Sequence, residues 1–181
     1  MTSERVLGAA EVQAALSKMA TQLTGQPEKA PLAIIAIRRG GEAVARRLAS
    51  LIESQTGTRP PVGTVDITLY RDDGFAPGDW PEVGITNIPF DVSKHTVALV
   101  DDVLYTGRTV RAAIDVVLDY GRPAAIRLAT LVDRGLREFP IRADAVGHEV
   151  QTSREQHVQV SLQDEASDDD HVLVQAQDSS T

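Results

Sequence analysis

The stretch Val97–Thr109, VALVDDVLYTGRT, holds the residue types that most directly imply chemistry. An apolar run delivers two adjacent carboxylates, Asp101 and Asp102. Four residues after Asp102 come Thr106, Gly107, Arg108 and Thr109, where a helix is expected to begin. Gly107 permits close backbone approach and unusual dihedrals. Successive backbone N–H groups, two threonine hydroxyls and a helix N-terminus then surround one small volume. That is an anion site, suited to a terminal phosphate. The helix dipole contributes only about 0.3–1 kcal/mol, so charge-assisted hydrogen bonds at about 1.5–3 kcal/mol each would dominate. The carboxylates cannot hold the phosphate; beside it they suit vicinal hydroxyls and a hydrated Mg²⁺. A phosphorylated ribose bearing pyrophosphate meets all three demands. An ordinary strand–turn–helix with two solvated acids is the competing reading of the same spacing. The patterns GxxxxGK(S/T) and GxGxxG are both absent, so ATP and NAD are poor alternatives.

These residues need elements to position them. Ala9–Leu23 has the spacing of an amphipathic helix, through Val12, Leu16, Met19 and Leu23. Leu32–Ile37 is an apolar run of strand length, followed by Gly40-Gly41 and a helical pattern over Glu42–Ile52. Thr64–Tyr70 alternates and is rich in β-branched residues, which predicts a strand. Arg71–Pro89 is a long polar loop broken by glycine and proline, and loops of that length are usually functional or disordered. Thr96–Val100 reads as a buried strand, Thr109–Tyr120 as a helix and Ala125–Val132 as a further strand. Short strands are expected at Asp144–Val150 and His157–Leu162, with His171–Gln175 as a last edge strand. Strands alternating with helices predict an α/β fold, a mostly parallel sheet with helices on both faces. Ligands in such sheets bind beyond the carboxyl ends of the strands. The loops after Ile37, Tyr70 and Val100 should therefore face one site.

Composition bounds the function classes. The 181 residues are 42% hydrophobic and 24% charged, ordinary for one soluble globular domain spanning 1–181. There is no cysteine, which excludes disulfides, zinc-thiolate sites and a cysteine nucleophile. No apolar run approaches the roughly 20 residues of a membrane span. The opening MTSERVLGAAEVQAAL lacks the pattern of a signal peptide, so a cytoplasmic location is expected. The net charge is −8, but seven of the 26 acids lie in residues 155–181, which hold none of the 18 bases. The rest of the chain is near neutral, and residues 163–181 read as an acidic, partly frayed segment. An acidic total argues against general nucleic-acid attraction but leaves room for one local basic face.

VALVDDVLYTGRT resembles the PRPP-binding motif of type I phosphoribosyltransferases. Together with DITLYRDD (Asp66–Asp73), DDVLYTGRTVRAAID (Asp101–Asp115) and the Leu131–Asp144 segment, it resembles the PyrR group over about residues 8–162. These are bacterial pyrimidine-operon attenuation proteins that also have uracil phosphoribosyltransferase activity. The resemblance implies the type I phosphoribosyltransferase fold, with a long flexible loop. It implies a reaction of uracil with PRPP and Mg²⁺ to give UMP and pyrophosphate. Asp101 and Asp102 would hold the ribose hydroxyls and, indirectly, the metal. Val103, Leu104, Tyr105, Thr106, Gly107, Arg108 and Thr109 would wrap the 5′-phosphate. Arg38, Arg39, Gly40 and Gly41 would bind pyrophosphate, with Arg71 at the base of the closing loop. Uracil would sit against Val132–Gly135, including Arg134, and the strand carrying Val158.

The resemblance further implies that UMP controls binding of the operon's leader RNA, and that the protein is a homodimer or larger homo-oligomer. Arg137 and Arg142 lie in a segment the group uses for RNA, and His148 is a further candidate against the plainer reading of a surface histidine. This chain departs from the group in two places. Arg38-Arg39-Gly40-Gly41 stands where Thr-Arg-Gly is usual, and Leu136 and Phe139 replace a histidine and a leucine. A phosphoribosyltransferase without an RNA role, or one acting on another base, is the alternative. Trp80 reads as a loop anchor and His95 as a solvated turn residue.

Overall fold

Three apolar runs build the centre of the molecule, and their two faces bury different residues. The computed structural model describes residues 3–27, 29–72 and 82–176. Strands β2 (Leu32–Ile37), β3 (Val62–Val65), β4 (Thr96–Leu104), β5 (Ala125–Asp133) and β6 (Ala145–Glu149) form a parallel sheet in the order β3-β2-β4-β5-β6. Ile34, Ala36, Ala98 and Val100 face helices α1 (Ala9–Thr24) and α2 (Gly41–Thr56). Ile35, Ile37, Val97 and Leu99 join the core beneath helix α3 (Arg108–Asp119). Covering both faces is why these strands read as continuous apolar runs rather than alternating ones. A left-handed Gly57, φ +76°, ends α2.

A second sheet of three antiparallel strands is not hydrogen-bonded to the first but shares its core, through Leu7, Val158, Val172 and Val174. Its order is β1 (Ser3–Leu7), β8 (His171–Ala176), β7 (Gln156–Ser161). The C-terminal strand is thus central in this small sheet, not at its edge as expected. Its outer partner β1 was not predicted, because SERVL is short and only Leu7 is fully buried.

Two elements of the main sheet also differ from expectation. The strand expected over Thr64–Tyr70 stops at Val65, and Thr68–Tyr70 is a 3₁₀ turn. The Asp66 carboxylate accepts the Thr68 N–H at 2.9 Å, and the Asp66 N–H donates to Thr86 Oγ1 at 3.0 Å. That local side-chain bonding draws the backbone out of the ladder. Conversely, β4 runs four residues past Val100, pairing Asp101 with Thr130, Val103 with Val132 and Leu104 with Asp133. The expected long loop is described only at Arg71–Asp72 and from Glu82 onward; Trp80 lies outside the described residues.

One buried ion pair ties the small sheet to the body. Arg47 on α2 reaches Asp170, just before β8, at 2.5 Å and Gln13 on α1 at 2.8 Å. Both charged side chains are almost fully buried. Burial alone would push the Asp170 carboxyl up, but N–H donors from Gln163 and Ser167, with Arg47, outweigh it and hold it below the ordinary range. Asp170→Asn leaves Arg47 buried without a counter-charge and should cost about 3–5 kcal/mol at neutral pH, read by urea unfolding. A carboxyl lowered on folding stabilises above its unfolded pKa, and that contribution fades as pH falls through the folded value. The gap between wild type and variant should therefore narrow below about pH 4.

Candidate active site

Ladder pairing holds Asp101 and Asp102 rigid at the carboxyl end of β4, and the two-residue period separates them. Asp101 is 6% exposed and Asp102 is half-buried. Burial of Asp101 sets aside the competing reading of two solvated acids. The Asp102 N–H donates to Asp101 Oδ1 at 3.0 Å, and the Val103 N–H donates to Asp102 Oδ1 at 2.8 Å. Burial first, and the neighbouring Asp102 charge second, push the Asp101 carboxyl well above the usual carboxylate range.

Asp102 meets the loop between β2 and α2. A methyl group at Gly40 would run into the Asp102 carboxylate, and one at Gly41 into the Val100 carbonyl. Glycine is needed there for approach, not for an unusual dihedral: Gly40 has φ −88° and ψ −30°. The preceding Arg38–Arg39 peptide is cis. Arg38 Nε lies 3.4 Å from Glu42 Oε1, near enough for charge attraction but not aligned for a hydrogen bond. Arg39 is largely exposed, with Glu82 at 3.6 Å. Arg38, Arg39, Asp66, Thr68, Arg71 and Thr109 line a cleft of about 430 Å³.

The loop after β4 turns through Gly107, φ +92°, which caps α3. Thr106 Oγ1 accepts the Arg108 N–H at 3.3 Å. Of the residues expected to wrap a phosphate, Leu104 buries its side chain, 1% exposed, in the α3 core. The Arg108 guanidinium is also committed, donating to Glu138 at 2.8 Å and Asp72 at 2.6 Å and stacking over Phe139. Val103 and Tyr105 instead line a second cleft, of about 370 Å³, with Asp102, Arg134 and the strand His157–Val160. Strand β7 of the small sheet thus forms one wall of this opening, and Val158 lies there.

The turn after β5 braces the loop after β4. Arg137 donates to the carbonyls of Tyr105 at 2.8 Å, Ile141 at 3.0 Å and Gly135 at 3.1 Å, and to Asp133 at 2.5 Å. The Glu138 and Phe139 N–H groups both donate to the Thr106 carbonyl. Arg137, expected to point at RNA, is therefore spent inside the protein. Arg142 is exposed and has no ion pair among the described residues, and His148 lies half-buried on β6. Lys18 Nζ, 3.4 Å from the Gly147 carbonyl, adds a cation beside His148. It was missed because a lysine on a helix surface carries no signal of its own.

A family model described as the phosphoribosyl transferase domain matches residues 4–165. The bifunctional protein PyrR of Roseiflexus sp. strain RS-1 is 48% identical over 163 residues, covering 90% of this chain and 89% of that protein. This chain belongs to the PyrR family of phosphoribosyl transferases. The bifunctional protein PyrR of Thermus aquaticus is 47% identical over 160 residues, 88% of each chain. Among solved structures, a hypoxanthine phosphoribosyltransferase from Staphylococcus aureus superposes with a TM-score of 0.66 at 21% identity, covering 86% of this chain and 80% of that one. A Trypanosoma cruzi hypoxanthine phosphoribosyl transferase gives 0.66 at 17%, covering 83% and 79%. At those identities the likeness is one of fold. The PyrR relatives and the fold bear out the type I phosphoribosyltransferase architecture.

Two sets of outcomes separate the acids from the Arg137 brace. Asp101 carries a carboxyl raised on folding, so its stabilising contribution is full below its unfolded pKa and is lost as pH rises through the folded value. Asp101→Asn should therefore melt at or above the wild-type temperature at pH 8, whereas Asp102→Asn should leave melting unchanged and lower transferase turnover about tenfold or more. Arg137→Gln should raise the KM for PRPP and destabilise the fold by about 2 kcal/mol, because charged hydrogen bonds to the phosphate loop are lost. Steady-state kinetics with a thermal melt reads both.

Proposed function

We propose that this PyrR-family protein joins uracil to PRPP, releasing UMP and pyrophosphate, and that UMP in the same pocket strengthens its binding to the leader RNA of a pyrimidine operon. The observation that carries the catalytic half is the close approach of the Gly40 loop to Asp102, beside the Gly107 turn that starts α3. Pyrophosphate would then meet Arg38–Gly41 with Arg71, the ribose hydroxyls would meet Asp101 and Asp102, and the 5′-phosphate would meet Val103–Thr109. The base enters the cleft walled by Tyr105, Arg134 and Val158. The bond from C1′ to pyrophosphate oxygen breaks toward an oxocarbenium-like state. The protein's work is positioning and stabilising the charge that develops on the leaving group.

No cluster of three histidine or acidic side chains that could cage a metal occurs among the described residues. The donors fit a magnesium ion carried in on the substrate instead: Asp102 offers hard oxygen atoms beside a loop with no side chain at Gly40. Bound there, Mg²⁺ would neutralise pyrophosphate charge. Arg142 and His148, joined by Lys18, are the proposed RNA contacts. No described helix is long and apolar enough to cross a membrane, and a cytoplasmic homo-oligomer is the proposed working form.

Incubation with PRPP, Mg²⁺ and each nucleobase tests the enzyme, and UMP should form from uracil. Product from a different base alone would reassign the substrate. For RNA, Arg142→Gln should weaken leader binding and reduce its salt slope by about one unit per lost phosphate contact, with transferase activity unchanged. Filter binding with and without UMP reads this. Wild-type RNA affinity in Arg142→Gln would remove that residue from the interface.

A further inference from the structure

Asp66 is a half-buried acid on the wall of the cleft that Arg38, Arg39 and Arg71 also line. A carboxylate there repels a negative ligand, so contact with the ligand does not explain it. Its bonds run to the protein instead. The carboxylate accepts the Thr68 N–H at 2.9 Å, and the Asp66 N–H donates to Thr86 Oγ1 at 3.0 Å. A methyl group at Gly84 would run into Asp66 Oδ2, so the backbone of that segment packs directly on the carboxylate. Burial alone would push the Asp66 carboxyl up, but hydrogen bonds from Thr68 and Gly84, with the Arg38 charge, outweigh it and hold it below the ordinary range. One residue thus joins Thr68 on one side to Gly84–Thr86 on the other. It does so just beyond the Thr64–Asn87 bridge, whose two backbone hydrogen bonds are each 2.8 Å.

The segment that Asp66 fixes holds Arg38 in turn. Arg38 Nη1 donates to the Ile85 carbonyl at 3.3 Å. Nε is buried without a hydrogen-bond partner, and Glu42 Oε1 stands 3.4 Å from it. No other hydrogen bond of the Arg38 side chain occurs among the described residues. We propose that Asp66 is a positioning residue for pyrophosphate: it fixes Gly84–Thr86 against the Thr68 turn and so places the Ile85 carbonyl that holds the Arg38 guanidinium at the cleft. This inference rests on the transferase reading above, in which pyrophosphate meets Arg38–Gly41. A free arginine side chain loses rotamer entropy when a ligand orders it. Ordering it beforehand removes that cost from binding. Asp66 therefore favours the pyrophosphate end of PRPP without touching it. The ribose-phosphate end, at Asp101–Thr109, gains nothing from it. UMP carries ribose phosphate and no pyrophosphate, so the two ligands separate positioning from general stability.

The test measures equilibrium binding of magnesium pyrophosphate and of UMP to wild type, Asp66→Ala, Asp66→Asn and Gly84→Ala, with a thermal melt of each. Asp66→Ala should weaken pyrophosphate about tenfold or more and raise the KM for PRPP, with UMP affinity unchanged. Asp66→Asn keeps an acceptor for the Thr68 N–H and should recover most of the loss. Gly84→Ala removes no hydrogen-bonding group but sets a methyl against Asp66, and should show the same selective loss. Should Asp66→Ala fail to fold, Gly84→Ala decides. Wild-type pyrophosphate affinity in Gly84→Ala overturns the proposal. Equal losses for pyrophosphate and UMP would make Asp66 a bolt for the fold and overturn it as well. A wild type that binds neither ligand overturns the transferase reading itself.

Discussion

The site depends on β4 continuing to pair with β5 after its apolar stretch has ended. Backbone hydrogen bonding through Asp101–Thr130, Val103–Val132 and Leu104–Asp133 holds two carboxylates on a ladder instead of on a loop. Alternation along a strand sends neighbouring side chains to opposite faces. That divides two chemically identical residues into a buried carboxyl and one set against the Gly40 loop. Had the strand ended at Val100, both acids would be solvated and neither would be fixed relative to the pyrophosphate-loop candidates.

Around this strand end, the second supporting layer is a set of arginines that mostly serve the protein itself. Arg137 holds the Tyr105 carbonyl, Arg108 joins Asp72 to Glu138, and Arg47 fastens the segment leading into β8. β7, a wall of the cleft beside Tyr105 and Arg134, pairs along its length with β8. The acidic C-terminal segment therefore helps shape the pocket, even though its residues lie far from it in sequence. The turn that braces the loop after β4 also leads to Arg142, a short physical connection between the proposed nucleotide site and the proposed RNA face. Such a connection is reciprocal in binding free energy.

Much of this was legible because apolar runs and glycine punctuation are local signals. Leu32–Ile37, Thr96–Val100 and the helices after them follow from periodicity, and Val97–Thr109 carried its own chemistry. What escaped depended on partners distant in sequence. The length of β4 is set by β5, and β1 has no pattern of its own because its partner is β8. The burial of Asp101 follows from the packing around the strand. The occupation of Arg137 is invisible to spacing, since an arginine bonded to four backbone or side-chain groups and an arginine awaiting RNA are the same letter. The Thr64–Tyr70 strand failed for a different reason: Asp66 bonds to its own neighbourhood and ends the ladder.

The central claim is that the Gly40 loop and Asp102 form two sides of one PRPP site. Equilibrium binding of PRPP with Mg²⁺ to Gly40→Ala tests it most directly. Gly40 has an ordinary right-handed backbone conformation, so alanine adds only a methyl group, and that methyl meets the Asp102 carboxylate. The account predicts a melting temperature close to wild type with PRPP affinity reduced about tenfold or more, the loss of roughly one charged hydrogen bond. Wild-type affinity for PRPP in this variant would contradict it.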